Sequence, residues 1–313
     1  MKKRITIGYL IILVVFTIYV LGDTFLIRRT YDSTAVTAVA ANTVPSATAE
    51  NESTGLAEAL TLSTEKTTSD VTVTDTTYES DGLRVEISTY REYDTDIYVA
   101  DIYFTDLSAF STAFAEDIYG KNITDKTSQI AGDNDAVIAI NGDYYGAQEK
   151  GYVIKNGVLY RSTARKNAQD LVIYTDGTWE IINESEITAE ELMEKGAYQL
   201  LSFGPGLIVD GEISVSTDYE VGKAMASNPR TAIGYIDEGH YVFVVSDGRT
   251  SSSEGLSVYQ LAEFMESLGV ETAYNLDGGG SSTMVFNGEV INNPTTSGNK
   301  IKERSVSDIV YFG

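Results

Sequence analysis

The chain has no cysteine and a single histidine, His240, among its 313 residues. The missing cysteine removes disulfides, thiolate nucleophiles and cysteine-based zinc sites together. It leaves the compartment open. With one histidine, HExxH zinc sites and multi-histidine metal sites are excluded, and a Ser-His-Asp triad has only His240 to use. His240 heads HYVFVVSDG just after the turn-like Asp237-Glu238-Gly239, where an exposed strand-end residue is expected. Acid–base chemistry therefore falls to carboxylates, tyrosine, lysine or metal-bound water. Basic residues are scarce as well: 22 Lys and Arg stand against 46 Asp and Glu, a net charge of −24. That argues against nucleic acid, whose phosphates need a basic footprint, and disfavours adsorption to anionic lipid. The chain carries neither a Walker-type loop (GxxxxGK followed by Ser or Thr) nor a GxGxxG leading from strand to helix, so nucleotide-binding loops of those kinds are unsupported.

What is present divides the chain into three. Met1-Lys2-Lys3-Arg4 precedes an uncharged, mainly apolar run from Ile5 to Gly22, broken first by Asp23. Its length suits a membrane-spanning helix, and the basic start places the N-terminus in the cytoplasm. Residues 1–29 are expected to form a cytoplasmic tip and an uncleaved single-pass anchor; a cleaved signal peptide is the competing reading. Residues 30–77 are rich in Thr, Ser, Ala and acid and show no hydrophobic periodicity, which reads as a disordered stalk. Residues 78–313 form the globular domain, held outside the cytoplasm at the cell membrane. Alternating runs such as Leu83–Tyr90 and Asp96–Phe104, and hairpin signals at Asn156-Gly157, Asp176-Gly177, Asp210-Gly211 and Asn287-Gly288, predict many strands. Helices are expected over Thr127–Ala131 with Thr127 as N-cap, over Thr188–Lys195, and over Ser257–Leu268 with a Ser257/Gln260 capping box. The fold class is α+β, strand-rich, with a mixed or mainly antiparallel sheet.

The most unusual stretch is Asn275–Thr283, NLDGGGSST. Three consecutive glycines cost backbone entropy and pack nothing, so they point to a turn or to backbone that must approach something closely. Exposed N–H groups in such a turn form an anion-binding nest. That nominates Gly278, Gly279 and Gly280, with Ser281 and Ser282 as added donors. Two other apolar strands also end in acid clusters: Asn141-Gly142-Asp143 and Asp247-Gly248-Arg249. Asp-Gly alone is a turn signal, but these clusters carry polar residues that a hairpin does not need. Asn141, Asn275, Asp143, Asp247 and Asp277 are thus candidate site residues. Arg230, Thr231 and Arg249 add groups suited to phosphate, because guanidinium forks match its oxygens.

With those clusters in hand, the chain resembles the phosphodiester glycosidase family. The matching segments are AINGDYYG (139–146), SFGPGLIVDG (202–211), NPRTAIGYID (228–237), VVSDGR with Gly255, and NLDGGGSSTMVFNGEVINNP (275–294). Members of that family hydrolyse sugar-1-phosphate diesters, and bacterial ones are tied to exopolysaccharide and cell-surface work. The resemblance implies release of sugar and a phosphomonoester from a phosphate-bearing glycan such as a GlcNAc-α-1-phosphodiester. A carboxylate then serves the oxocarbenium-like centre: Asp277 or Asp143 on the sugar side, with Asp247 activating water. Arg230, Thr231 and the glycine nest would neutralise the leaving phosphate. Several carboxylates near an anionic diester repel it unless one is protonated, paired with arginine or neutralised by a cation, so a Ca²⁺ or Mg²⁺ site stays open. Two alternatives accompany this reading: a non-catalytic binding module for phosphate-containing glycopolymers, and a metal-dependent phosphoesterase.

Overall fold

The strand His240–Ser246 shows how alternation builds this protein. Tyr241, Phe243 and Val245 enter one buried cluster, while Val242 and Val244 enter another. A strand turns successive side chains to opposite faces, so this run is covered on both sides. The computed structural model describes residues 2–31, 36–37, 71–219, 227–296 and 300–313.

Two large antiparallel sheets face each other. One has nine strands, in the order Glu212–Ile213, Gly206–Val209, Thr272–Asn275, Arg230–Asp237, His240–Ser246, Thr95–Phe104, Leu83–Glu92, Thr77–Glu79 and Thr72–Val73. The other has five: Glu289–Val290, Met284–Phe286, Ile138–Asn141, Asp308–Phe312 and Phe110–Phe114. Between them lies the main core, where Ile102, Ile233 and Phe243 of the first sheet meet Ile140, Val310 and Phe312 of the second. The helix Val258–Ser267 covers the outer face of the larger sheet through Leu261, Ala262 and Met265. The helix Thr127–Asp133 covers the smaller one through Ile130 and Ala131, against Ala139 and Ile309. Each fully buried aliphatic or aromatic side chain contributes about 1.5–3 kcal/mol. The strand-rich α+β expectation holds, and the pairings within both large sheets are antiparallel.

Local signals mostly read true. Ser257 and Gln260 form their capping box, as do Thr188 and Glu191. Thr127 does not cap its helix: Lys126 occupies the N-cap without a side-chain bond, and the Thr127 hydroxyl is buried with no partner. The Thr127 side chain is drawn into the core side of the first turn instead. Pairing begins upstream of the expected domain start, since Thr72–Val73 joins the sheet edge through Glu79 and Tyr78. Of the expected stalk, residues 32–35 and 38–70 lie outside the described residues. Arg29–Thr30 pairs with Gly120–Lys121, and Val36–Thr37 with Val158 and Leu159. A helix, Lys2–Phe25, forms over the expected anchor. Among the described residues no helix is long and apolar enough to cross a membrane, so the expected span is not shown.

Candidate active site

Both sheets end at one place. In the larger sheet Leu276 N–H, just past the strand Thr272–Asn275, donates to Thr231 O at 2.8 Å. Asp277 N–H then reaches across to Gly142 O, at the end of the smaller sheet's strand Ile138–Asn141, at 3.4 Å. Asn141 seals the junction: its Nδ2 donates to Asp277 O at 2.7 Å, and its Oδ1 accepts from the Thr231 hydroxyl at 2.8 Å. Asn275 donates to Gly204 O at 2.8 Å and holds the Phe203–Gly206 loop against the same sheet end. Asn141, Thr231 and Asn275 are all fully buried. They set the backbone that carries Asp277 and stand behind the wall of the cleft.

Asp277 is the one acid among the residues lining this cleft. Its Oδ2 accepts from the Ser281 hydroxyl at 2.6 Å and from Arg304 Nη2 at 2.7 Å. Burial raises its carboxyl above the ordinary range, against the opposing pull of Arg304 and Ser281. Two compartments adjoin it. One, of about 230 Å³, is lined by neutral groups including Asn122, Thr124, Tyr144, Ser305 and Ser307. The other, of about 120 Å³, is lined by Phe203, Asn228, Arg230, Arg249 and the glycines 278 and 279. Asp277 and Arg304 line both.

The second compartment is strongly cationic. Arg230 is 4% exposed; its Nε donates to Leu256 O at 2.9 Å. Burial first, and then the neighbouring Arg249, lower its guanidinium to about 10. Arg249 donates to Asn228 Oδ1 at 2.8 and 3.1 Å and to Thr296 O at 3.2 Å. Neither Arg230 nor Arg249 forms an ion pair among the described residues. A buried guanidinium is costly unless an anion offsets it, so the lining of this compartment suits an anionic group.

Part of the glycine run is engaged within the protein. Gly279 N–H donates to Pro229 O at 2.8 Å, Ser281 N–H to Gly278 O and Ser282 N–H to Gly279 O, both at 3.3 Å. Those amides are spent within the protein. The glycines instead make room. A Cβ on Gly278 would lie 2.9 Å from Pro229 O, and one on Gly279, at φ +63°, would lie 2.8 Å from Arg249 Nη2. The side-chain guanidinium groups of Arg230, Arg249 and Arg304 are the cations lining the second compartment. Ser281 orients Asp277 and Arg304, whereas the Ser282 hydroxyl is fully buried without a partner.

The other two expected acids are turned away from the cleft. Asp143 is 1% exposed and bonds Lys155 Nζ, the Ser202 amide and the Tyr145 amide, each at 3.0 Å. Lys155 also lies 2.9 Å from Asp308 Oδ2. Burial pulls the ammonium down, but the two carboxylates outweigh it and hold Lys155 above its ordinary value. Burial and Asp143 together raise Asp308. Asp247, also buried, bonds Asn293 N and Nδ2 at 2.8 Å each and Asn292 Nδ2 at 3.3 Å. It anchors the 292–293 loop. His240 pairs with Asp101 and stacks on Tyr103 with centroids 4.0 Å apart, at the other end of its strand from Ser246.

The donor set does not fit a divalent metal. Among the described residues no three His, Cys, Asp or Glu side chains stand together as ligands would, and Asp277 already faces Arg304. The charge neutralisation for which Ca²⁺ or Mg²⁺ stayed open is available from arginine. Sequence reasoning missed Arg304, which lies in an irregular stretch with no local signature, and Lys155 and Asp308, which look like ordinary strand residues. Tyr144 and Phe203 lay within quoted segments without a role. Tyr144 sits at φ +77°, a strained conformation for a bulky side chain, and packs edge-on to Phe203 at 6.3 Å.

Comparison with known proteins gives the family of the chain. Residues 134–313, more than half of the chain, match the phosphodiester glycosidase family. The N-acetylglucosamine-1-phosphodiester alpha-N-acetylglucosaminidase of Mus musculus is 31% identical over 175 residues, covering 50% of this chain and 33% of that protein. The SPbeta prophage-derived uncharacterized protein YomE of Bacillus subtilis (strain 168) is 32% identical over 163 residues, covering 50% of this chain and 25% of its relative. The chain therefore spans a third or less of the length of these two relatives. A solved structure of the zebrafish N-acetylglucosamine-1-phosphodiester alpha-N-acetylglucosaminidase catalytic domain, auto-inhibited by its pro-peptide, matches with a TM-score of 0.58 and 25% identity over 74% of this chain and 82% of that one. The chain belongs to the phosphodiester glycosidase family.

Proposed function

We propose that this protein hydrolyses the glycosidic bond of sugar-1-phosphodiesters of the N-acetylglucosamine α-1-phosphate type. The observation that carries the reading is the position of Asp277 and Arg304 on both compartments. The scissile bond joins a neutral ring to an anion, and the cleft changes from neutral hydroxyls to guanidinium groups at that acid. The sugar lies in the hydroxyl-lined compartment beside Tyr144, and the phosphate among Arg230, Arg249 and Arg304. As the C1–O bond breaks, its electron pair stays on the phosphate oxygen. Arg230 and Arg249 meet the growing negative charge, so the leaving group needs no strong general acid. Positive charge develops at C1 beside the Asp277 carboxylate. Water adds to C1 and its proton passes to the phosphate, giving free sugar and a phosphomonoester.

The arginines also answer how a carboxylate tolerates an anionic neighbour. Arg304 stands against Asp277, and two further cations face the phosphate. The test is to offer N-acetylglucosamine α-1-phosphodiesters to the purified protein and identify the products. Free N-acetylglucosamine and a phosphomonoester support the reading; sugar 1-phosphate and an alcohol would instead indicate a phosphoesterase. One observation favours a second reading, a non-catalytic binder of phosphate-bearing glycopolymers: the cleft presents one carboxylate rather than the pair usual in glycosidases. Binding without turnover would decide for it. We also assign the protein to the extracytoplasmic face of the cell membrane and to surface-polysaccharide metabolism. That assignment rests on the uncharged Ile5–Gly22 run after a basic start and on the glycan-phosphate chemistry of the cleft.

A further inference from the structure

The arginine compartment holds more positive charge than a phosphodiester can match. Its charged lining consists of Arg230, Arg249 and Arg304 on one side and Asp277 on the other. Asp277 is already paired with Arg304, which leaves two cations uncompensated among the described residues. A phosphodiester brings one negative charge. A phosphomonoester above its second pKa of about 6 brings nearly two. Arg230 is buried away from water, and its exposed neighbour Arg249 is held only by neutral oxygens, so no local carboxylate offsets the difference.

We propose that this compartment is matched to a dianion, so that it holds the phosphomonoester product, and inorganic phosphate, more tightly than the phosphodiester substrate. The inference rests on the reading above that the substrate is a phosphodiester. It adds a regulation: the protein is restrained by its own product and by ambient phosphate, and a downstream phosphatase-class step that consumes the monoester would release it. The monoester differs from the diester by one added charge beside two unpaired guanidinium groups. Even in water-like surroundings one added charge about 4 Å from a cation is worth about a fivefold gain in affinity, and burial of Arg230 increases it.

The experiment is calorimetric titration of the protein with inorganic phosphate, methyl phosphate and dimethyl phosphate, at pH 8 and at pH 5. We expect phosphate and methyl phosphate to bind at least about fivefold more tightly than dimethyl phosphate at pH 8. At pH 5 the monoester is mainly a monoanion, and the preference should shrink toward unity. Inorganic phosphate and methyl phosphate should both compete with the substrate. Arg249→Gln, at an exposed side chain, should reduce the preference at pH 8. Equal or tighter binding of dimethyl phosphate at pH 8 overturns the proposal, as does a preference unchanged at pH 5. These readouts need no turnover. Turnover without dianion preference sinks this inference alone, whereas dianion preference without turnover sinks the glycosidase reading alone.

Discussion

Arg230→Met separates function from stability in an unusual way. Arg230 sits in the wall of the phosphate compartment, 4% exposed, with its stem packed and its Nε on Leu256 O. Its guanidinium is lowered to about 10, so keeping it charged at neutral pH costs the unliganded protein about 3 kcal/mol. Methionine retains most of the apolar stem and removes that cost. It also leaves Leu256 O without its donor, a loss of about 1.5–3 kcal/mol for a bond from a charged group. The two nearly cancel. In phosphate-free buffer the variant should unfold in urea within about 1.5 kcal/mol of the wild type, where breaking an ordinary buried ion pair costs about 3–5 kcal/mol. Its kcat/KM on the phosphodiester should nevertheless fall about 10²–10³-fold, as for loss of a preorganised charge stabiliser. The unfolded chain binds this proton more tightly than the folded one, so wild-type stability should also rise as pH climbs past about 10, and the variant should lack that rise. An unliganded variant destabilised by more than about 3 kcal/mol, or one with unchanged kcat/KM, would refute the reasoning.

Further outcomes follow from the same geometry. Asp277→Asn should lower kcat about 10³-fold or more with little change in KM, because the carboxylate acts on charge that develops only in the transition state; steady-state kinetics at saturating substrate checks it. The working form of Asp277 is the carboxylate and burial raises its pKa, so the acid limb of the kcat profile should fall above the ordinary carboxylate range, with activity lost as pH drops through it. Gly279→Ala places a Cβ against Arg249 at a positive φ. It should cost about 1–2 kcal/mol of stability and weaken phosphate binding, measured by denaturation and calorimetry. Lys155→Met leaves Asp143 and Asp308 buried together without their cation and should destabilise the fold by about 3–5 kcal/mol. Asp308 is raised in the folded state, so its contribution to stability is present in acid and lost as pH rises. The Lys155→Met defect should therefore shrink at low pH; a defect independent of pH would contradict this account of the cluster.

The sequence by itself determined much of the scaffold. Hairpin turns, capping boxes and two-residue alternation are local properties, governed by φ/ψ preference, cap chemistry and strand periodicity, so Asn156-Gly157, Ser257/Gln260 and the run from Leu83 to Tyr90 were legible one segment at a time. So was the close approach at the glycine run, because three glycines are wasteful unless something comes close, and the candidacy of Arg230 and Arg249 as rare cations beside acid clusters. Only the tertiary structure decided which acid faces the cleft. Asp143, Asp247 and Asp277 look alike in sequence, each ending an apolar strand. They differ in their distant partners: Lys155 and Asp308 enclose the first, Asn292 and Asn293 take the second, and Arg304 and Ser281 leave the third beside the cleft. The same holds for Gly279, whose amide is directed inward to Pro229 O while its missing side chain admits Arg249. A residue's charge is written in the sequence. Whether that charge is neutralised, buried or offered to a ligand depends on groups far along the chain that meet it only when two sheet ends are brought together.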